Sequence, residues 1–291
     1  MADDVVIEVE NLVTRFGDTV IHDGLSMSVR RGEVMAVVGG SGSGKTVMVR
    51  EITGLMRPSG GTIRLFGEDI GKLGHRETEA LRARTGMLFQ SGALFSSLTV
   101  AQNIVVPIQA WYRLRPALLD EIAGLKLALV GLDPSAGQKY PSELSGGMRK
   151  RAGLARSLAL DPEIVFLDEP TAGLDPIGAG QFDELIRSLQ ETLGITVYMI
   201  THDLDSLTRI ADRVMVLVDK RAKVGTLDEL RRDDHPWIRD YFGGPRGRAV
   251  AQSHAGADRP SPEEQSEQQK PAPIGPSPRR RAKAKTRSRS S

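Results

Sequence analysis

The chain has 291 residues, enough to bury a sizeable core, and 40% of them are hydrophobic. It has no cysteine, which excludes a disulfide framework and any thiolate metal site. The formal charge of +2 conceals an asymmetry: from Pro245 onward eleven Lys or Arg stand against four Asp or Glu, a net of +7, leaving −5 for residues 1–244.

The first residues include Asp3, Asp4, Glu8 and Glu10 and no apolar stretch of the kind a secretory signal needs. No uncharged apolar run approaches the roughly 18–20 residues that span a bilayer. A cytoplasmic location is therefore expected, with any transmembrane path supplied by another chain. Segments 5–10, 26–29 and 62–65 set β-formers between turn residues and predict an antiparallel N-terminal sheet. Segment 33–38 predicts a strand that runs into a glycine-rich loop, and 47–55 predicts the helix after it. From about 92 to 155 the patterns are helical, with no convincing strand. Strand and helix then alternate through 164–167, 181–193 and 196–200, and 214–218 reads as one more buried strand. Such alternation predicts an α/β fold, a parallel sheet covered by helices with a helical insertion.

The folded part is expected to span 1–244 and to end near Trp237 and Phe242. Beyond it, 245–291 is rich in Pro, Ser and Arg and has no aromatic residue, so it cannot offset its ordering entropy and is expected to be disordered from about 249. Its seven basic residues within 279–291 admit three readings. They form a solvated tail, an attraction to an anionic membrane leaflet at about 1 kcal/mol per residue, or a nucleic-acid contact. The last is disfavoured because no aromatic side chain accompanies the charges, so no nucleic-acid partner is expected.

The chemistry concentrates in a few stretches. Gly39, Gly40, Ser41, Gly42, Ser43, Gly44, Lys45 and Thr46 spell GGSGSGKT between a predicted strand and a predicted helix. That context defines a phosphate-binding loop: the glycines let backbone N–H groups turn onto phosphates, and the helix start, with Val47, adds a favourable field. Lys45 would reach the β- and γ-phosphates and the Thr46 hydroxyl would sit on Mg2+. The apolar run 164–167 delivers Asp168 and Glu169 at the end of a buried strand, costly unless the acids meet a cation or a proton. Asp168 is the candidate Mg2+ partner, and Glu169 the candidate base for an attacking water. Leu144-Ser145-Gly146-Gly147-Met148 precedes a helical segment at 149–160; such a start is an anion site or a plain helix cap. Phe16 is read as a platform for an adenine ring, with a core phenylalanine as the alternative.

In this order, these stretches together with Gln90 resemble the ATPase subunit of an ABC transporter, over about residues 1–230. The resemblance implies an ABC-type P-loop ATPase with a RecA-like parallel-sheet core, an N-terminal antiparallel β-subdomain and a helical subdomain at about 92–155. It implies that Ser145, Gly146 and Gly147 contact the γ-phosphate of ATP held by an opposite subunit, so hydrolysis requires a second copy of the chain. It further implies that Gln90 senses the γ-phosphate and Mg2+ and links to the membrane partner, that Asp175 lies in a loop crossing the dimer interface, and that His202 contacts the γ-phosphate. Lys45, Gln90, Glu169 and His202 are then the catalytic set, and Thr46, Gln90 and Asp168 the metal set. Met148 departs from the family's commonest form, which has Gln there, while the phosphate-contacting residues are intact.

The segment 89–104, with Ser91, Gly92, Ala93, Leu94 and Phe95 after the glutamine, is similar to the ATPases of Mla/Mce-type lipid transporters. The LSGGM form and the ending Pro236-Trp237-Ile238-Arg239-Asp240-Tyr241-Phe242 point the same way. A small, partly apolar loop beside Gln90 would form the groove for a permease helix; ordinary packing is the alternative. The implied assembly has permease subunits, two copies of this chain, a periplasmic lipid-binding Mce-type protein and a small regulatory subunit. It would move phospholipids, with this chain on the cytoplasmic face of the inner membrane. Other importers and exporters share the cassette. Non-transport members, acting on DNA or ribosomes, usually carry long coiled coils or two cassettes; here there is one cassette, and its insertion lacks sustained heptads.

Overall fold

A computed structural model describes residues 4–244; the predicted tail from 245, and its expected disorder, lie outside the described residues. In chain order the elements are β1 (Val5–Phe16), β2 (Thr19–Arg30), β3 (Val34–Gly39), α1 (Lys45–Ile52), β4 (Gly60–Leu65), β5 (Glu68–Asp69), α2 (His75–Ala83) and β6 (Thr85–Leu88). Three helices follow, α3 (Val100–Trp111), α4 (Pro116–Leu129) and α5 (Gly146–Ser157). The chain then runs β7 (Ile164–Asp168), α6 (Pro176–Leu193), β8 (Thr196–Ile200), α7 (Leu204–Ile210), β9 (Arg213–Val218), β10 (Arg221–Gly225), α8 (Leu227–Arg231) and α9 (Pro236–Gly243).

Two sheets result. The first is antiparallel, in the order β2-β1-β4-β5, and the second runs β10-β9-β3-β8-β7-β6. In the second, β9, β3, β8, β7 and β6 are parallel and β10 is the antiparallel edge. Its central strands are continuous apolar runs because both faces are covered. The period-2 alternation of a strand divides them between two cores. Val34, Ala36, Val38, Val165 and Leu167 pack with the helices α3 to α6. Met35, Val37, Ile164 and Phe166 pack with α1 and the antiparallel sheet. Among the described residues, no helix is long and apolar enough to cross a membrane.

The sheet orders agree with the α/β expectation, and several boundaries differ from the sequence reading for identifiable reasons. Strand β2 runs from Thr19 rather than from about 26, because its outer half pairs with β1. Helix α6 starts at Pro176 rather than near 181, because the Asp175 carboxylate caps it by accepting from the N–H groups of Ile177 and Gly178. Helix α1 stops at Ile52, three residues early, where Thr53 and Gly54 (φ 67°) turn the chain. Strand β6 was not expected: four residues opening on Thr-Gly carry little pattern of their own, and pairing with β7 makes them a strand.

Candidate active site

The C-terminal ends of β3, β7 and β8 lie side by side, and each releases a functional segment, the usual place for a site in an open α/β sheet. From β3 comes the loop 39–46. Gly44 has φ +99°, and a Cβ there would stand 2.5 Å from His22 Nε2 and Ile21 Cγ2, so only glycine fits. Helix α1 begins at that glycine without a side-chain cap, and α2, α4 and α9 also lack one, whereas α3, α5 and α6 are capped by Thr99, Ser145 and Asp175. Uncapped N–H groups at a helix start are an anion site. The Lys45 ammonium donates to the carbonyls of Gly39 (2.8 Å) and Gly40 (2.9 Å). Desolvation lowers its pKa, opposed by the charges of Glu169 and Asp168.

From β7 come Asp168 and Glu169. Burial pushes the Asp168 carboxyl up, the neighbouring Glu169 adds to it, and Lys150, Lys45 and Arg50 oppose. Glu169 has φ 49°, a left-handed conformation rare outside glycine, and its N–H donates to the carbonyl of Ile200 at 2.9 Å. That backbone turns its carboxylate toward the end of β8, where Oε1 lies 2.8 Å from His202 Nδ1.

The donor set around Asp168 suits a hard cation. Thr46 and Asp168 both line one small, largely apolar cavity with Met87 and Ile200, and between them carry a hydroxyl and a carboxylate. Among the described residues no cluster of three or more His, Cys, Asp or Glu could hold a metal by itself. Two protein oxygens, with phosphates completing the shell, match the way Mg2+ is usually bound.

The other expected residues stand apart from this centre. Gln90 is exposed and lines a different small cavity with Gly146, Lys150 and Leu174, not the one holding Thr46 and Asp168. The Ser145 hydroxyl accepts from Met148 N–H at 3.2 Å, so within one chain it caps its own helix. Among the described residues, no hydrogen bond joins Ser145, Gly146 or Gly147 to the loop 39–46. Phe16, at the end of β1, is 51% exposed, which removes the core alternative.

The loop 91–95 leaves Ser91, Ala93 and Phe95 exposed, and Ser91 lines the small cavity with Gln90. Arg156 donates to the carbonyls of Ala93 and Gly92, and Asn103 bonds Phe95 on both backbone groups, so the loop backbone is anchored. A separate groove of roughly 900 Å³ lies where α3 and α4 meet the edge of the parallel sheet, lined by Trp111, Tyr112, Leu114, Ile122, Leu125 and Leu193. Sequence reasoning passed over two contributors near the centre. Lys150 was hidden in a basic run on a helix, which reads as a solvated face, yet its ammonium is buried. Tyr241, on α9, donates to the His202 carbonyl at 3.2 Å and stacks on Trp237; no local signal announces that contact.

Comparison with known proteins agrees with this geometry. Residues 22–172 match the family model described as ABC transporter. The intermembrane phospholipid transport system ATP-binding protein MlaF of Haemophilus influenzae is 42% identical over 226 residues, 77% of this chain and 85% of that protein. The probable ribonucleotide transport ATP-binding protein mkl of Mycobacterium tuberculosis is 36% identical over 250 residues, 86% and 69% of the two chains. A dimeric ATP-binding cassette in a post-hydrolysis state, bound to ADP and Pi, superposes with a TM-score of 0.69 at 27% identity, covering 76% of this chain and 98% of that one. With strand order, phosphate loop, acid pair and histidine in place, the chain belongs to the ABC transporter family as an ATP-binding, ATP-hydrolysing cassette.

Proposed function

We propose that this cassette, paired with a second copy and seated on membrane permease subunits, hydrolyses ATP to move phospholipid or a related lipid between membranes. The observation that carries the lipid reading is the 42% identity to the phospholipid-transport protein, above the 36% to the ribonucleotide-transport one. On this reading the adenine stacks on the exposed ring of Phe16. The phosphates lie along the backbone of Gly39, Gly40, Ser41, Gly42, Ser43 and Gly44 and the uncapped start of α1 at Lys45, Thr46 and Val47. Lys45 exchanges its loop carbonyls for phosphate oxygens. Thr46, Asp168 and Gln90 would hold Mg2+, which would neutralise phosphate charge and orient the terminal group.

Glu169 accepts the proton of the attacking water, and His202 steadies its carboxylate through Nδ1 while turning its other edge to the terminal phosphate. Ser145, Gly146 and Gly147 of the second copy complete each site. Asp175 lies at the same interface: two residues on, Ile177 is 74% exposed, an apolar side chain that pairing would cover. The loop 91–95 beside Gln90, with Phe95 53% exposed, receives a permease helix. A periplasmic Mce-type lipid-binding protein and a small regulatory subunit complete the assembly, with this chain peripheral on the cytoplasmic face of the inner membrane.

The test is to purify the tagged full-length chain from its native membranes and reconstitute what comes with it. A polytopic permease and an Mce-domain protein should co-purify, and fluorescent phospholipid should move only with ATP and not with the Glu169→Gln chain. Ribonucleotide uptake, or ATP turnover that leaves lipid unmoved, would overturn the lipid reading.

A further inference from the structure

We propose that Lys150 is a positioning residue for hydrolysis, an ammonium that ties the Glu169 peptide and the Gln90 loop to the helix presenting Ser145. The inference rests on Glu169 acting as the base. Lys150 lies in the second turn of α5 and is only 6% exposed. Its Nζ donates to the Gln90 carbonyl at 2.5 Å and to the Glu169 carbonyl at 2.9 Å. A buried ammonium is costly unless its donors find partners and nearby negative charge. Here it has two carbonyls, and the carboxylates of Glu169 and Asp168 oppose the lowering of its pKa by burial.

The rest of the same helix face repeats the grip. Residues three apart on a helix share a face, and Lys150, Gly153 and Arg156 are so spaced. A Cβ at Gly153 would stand 2.7 Å from Leu88 Cδ1 and 3.1 Å from Gly92 Cα, so the glycine lets the Gln90 loop lie against the helix. Arg156 then holds the carbonyls of Gly92 and Ala93. Lys150 alone extends this grip to the acid pair. The Glu169 N–H is fixed by Ile200 and its carbonyl by Lys150 at 2.9 Å together with the Ala172 N–H at 3.2 Å, so both sides of a left-handed residue are pinned and its carboxylate is aimed at His202. Any displacement of α5, whose first residue follows Ser145, therefore reaches Gln90 and Glu169 through one side chain.

Steady-state hydrolysis by the full-length chain tests this. Lys150→Met keeps the stem and removes the donors. It should lower kcat roughly ten- to a hundredfold, with KM for ATP held within about threefold. Lys150→Gln, which keeps an N–H donor on a shorter stem, should lose less, and it carries the test through the same split if Lys150→Met does not fold. In a Glu169→Gln background, Lys150→Met should leave the residual rate within about twofold, because the residue it positions is already disabled. A folded Lys150→Met chain with wild-type kcat would overturn the proposal, as would an undiminished loss in the Glu169→Gln background. Normal turnover by Glu169→Gln alone would instead remove the base assignment on which the proposal rests.

Discussion

His202 Nδ1 lies 2.8 Å from Glu169 Oε1, a contact that bridges the ends of two neighbouring parallel strands. The glutamate side chain is 16% exposed and the histidine 75%, so the pair spans the boundary between protein and substrate space. A partly buried carboxylate aimed by an exposed imidazole can take a proton from water on the open side. Glu169→Gln should therefore lose about a hundredfold or more in kcat, the usual size of a general-base contribution. It should bind fluorescent ATP as the wild type does and accumulate as an ATP-bound dimer on size exclusion. Combining it with His202→Ala should cost little more than the worse single change, since the two act as a unit. Additive losses would separate their roles.

Within one chain Ser145 caps α5, and among the described residues it makes no hydrogen bond to the loop 39–46; on the proposed reading the two half-sites meet between copies. In a two-fold symmetric dimer each site takes Lys45 from one copy and Ser145 from the other. Lys45→Ala and Ser145→Arg chains should each be inactive alone. Mixed in equal amounts they should recover roughly a quarter of the wild-type rate, because half of the dimers then hold one intact site of two. No recovery after subunit exchange, shown by differently tagged chains, would mean that each chain builds its own site.

Much of this was legible in the sequence, and what escaped has a physical pattern. Loop 39–46 and Asp168-Glu169 carry their chemistry in contiguous residues, flanked by apolar runs that only a buried parallel sheet accommodates. β6 escaped because its identity comes from a neighbour, β7, rather than from its own four residues. Lys150 escaped for a related reason. Between Arg149 and Arg151 it reads as a solvated cation, and only the approach of two carbonyls from chain positions 60 and 19 residues away makes it a buried donor. The anchoring of loop 91–95 escaped as well, because Arg156 and Asn103, which hold its carbonyls, lie outside the loop in the chain.

Phe16 is half exposed at the tip of the β1–β2 hairpin, where an aromatic ring has no packing reason to stand in water. If it carries the adenine, Phe16→Ala should raise the ATP KM by about tenfold, in line with 1–3 kcal/mol for stacking on one base. Phe16→Trp should restore it, since any flat ring serves, and thermal stability should hardly change. A KM unmoved by Phe16→Ala would place the adenine elsewhere.

Asp183 sets a pH dependence that has nothing to do with catalysis. It sits buried on α6, one oxygen accepting from the Ser206 hydroxyl at 2.9 Å and the other without a partner. Burial raises its pKa from 3.8 to about 6, outweighing that hydrogen bond; the charges of Asp203 and Asp205 push the same way, and Arg209, whose Nε lies 3.8 Å from the carboxylate, opposes them. A carboxyl that is harder to ionise when folded favours the folded state least where it is charged. Its ionisation therefore erodes stability as pH rises from about 4 to about 6, and the loss is complete above that range. Asp183→Asn, which can still accept from Ser206, escapes the penalty. Its stability relative to wild type should grow between pH 5 and pH 7.5 by about 1 kcal/mol, read from urea unfolding at both values. A difference that stays constant or shrinks over that interval would show Asp183 already ionised in the fold at pH 5.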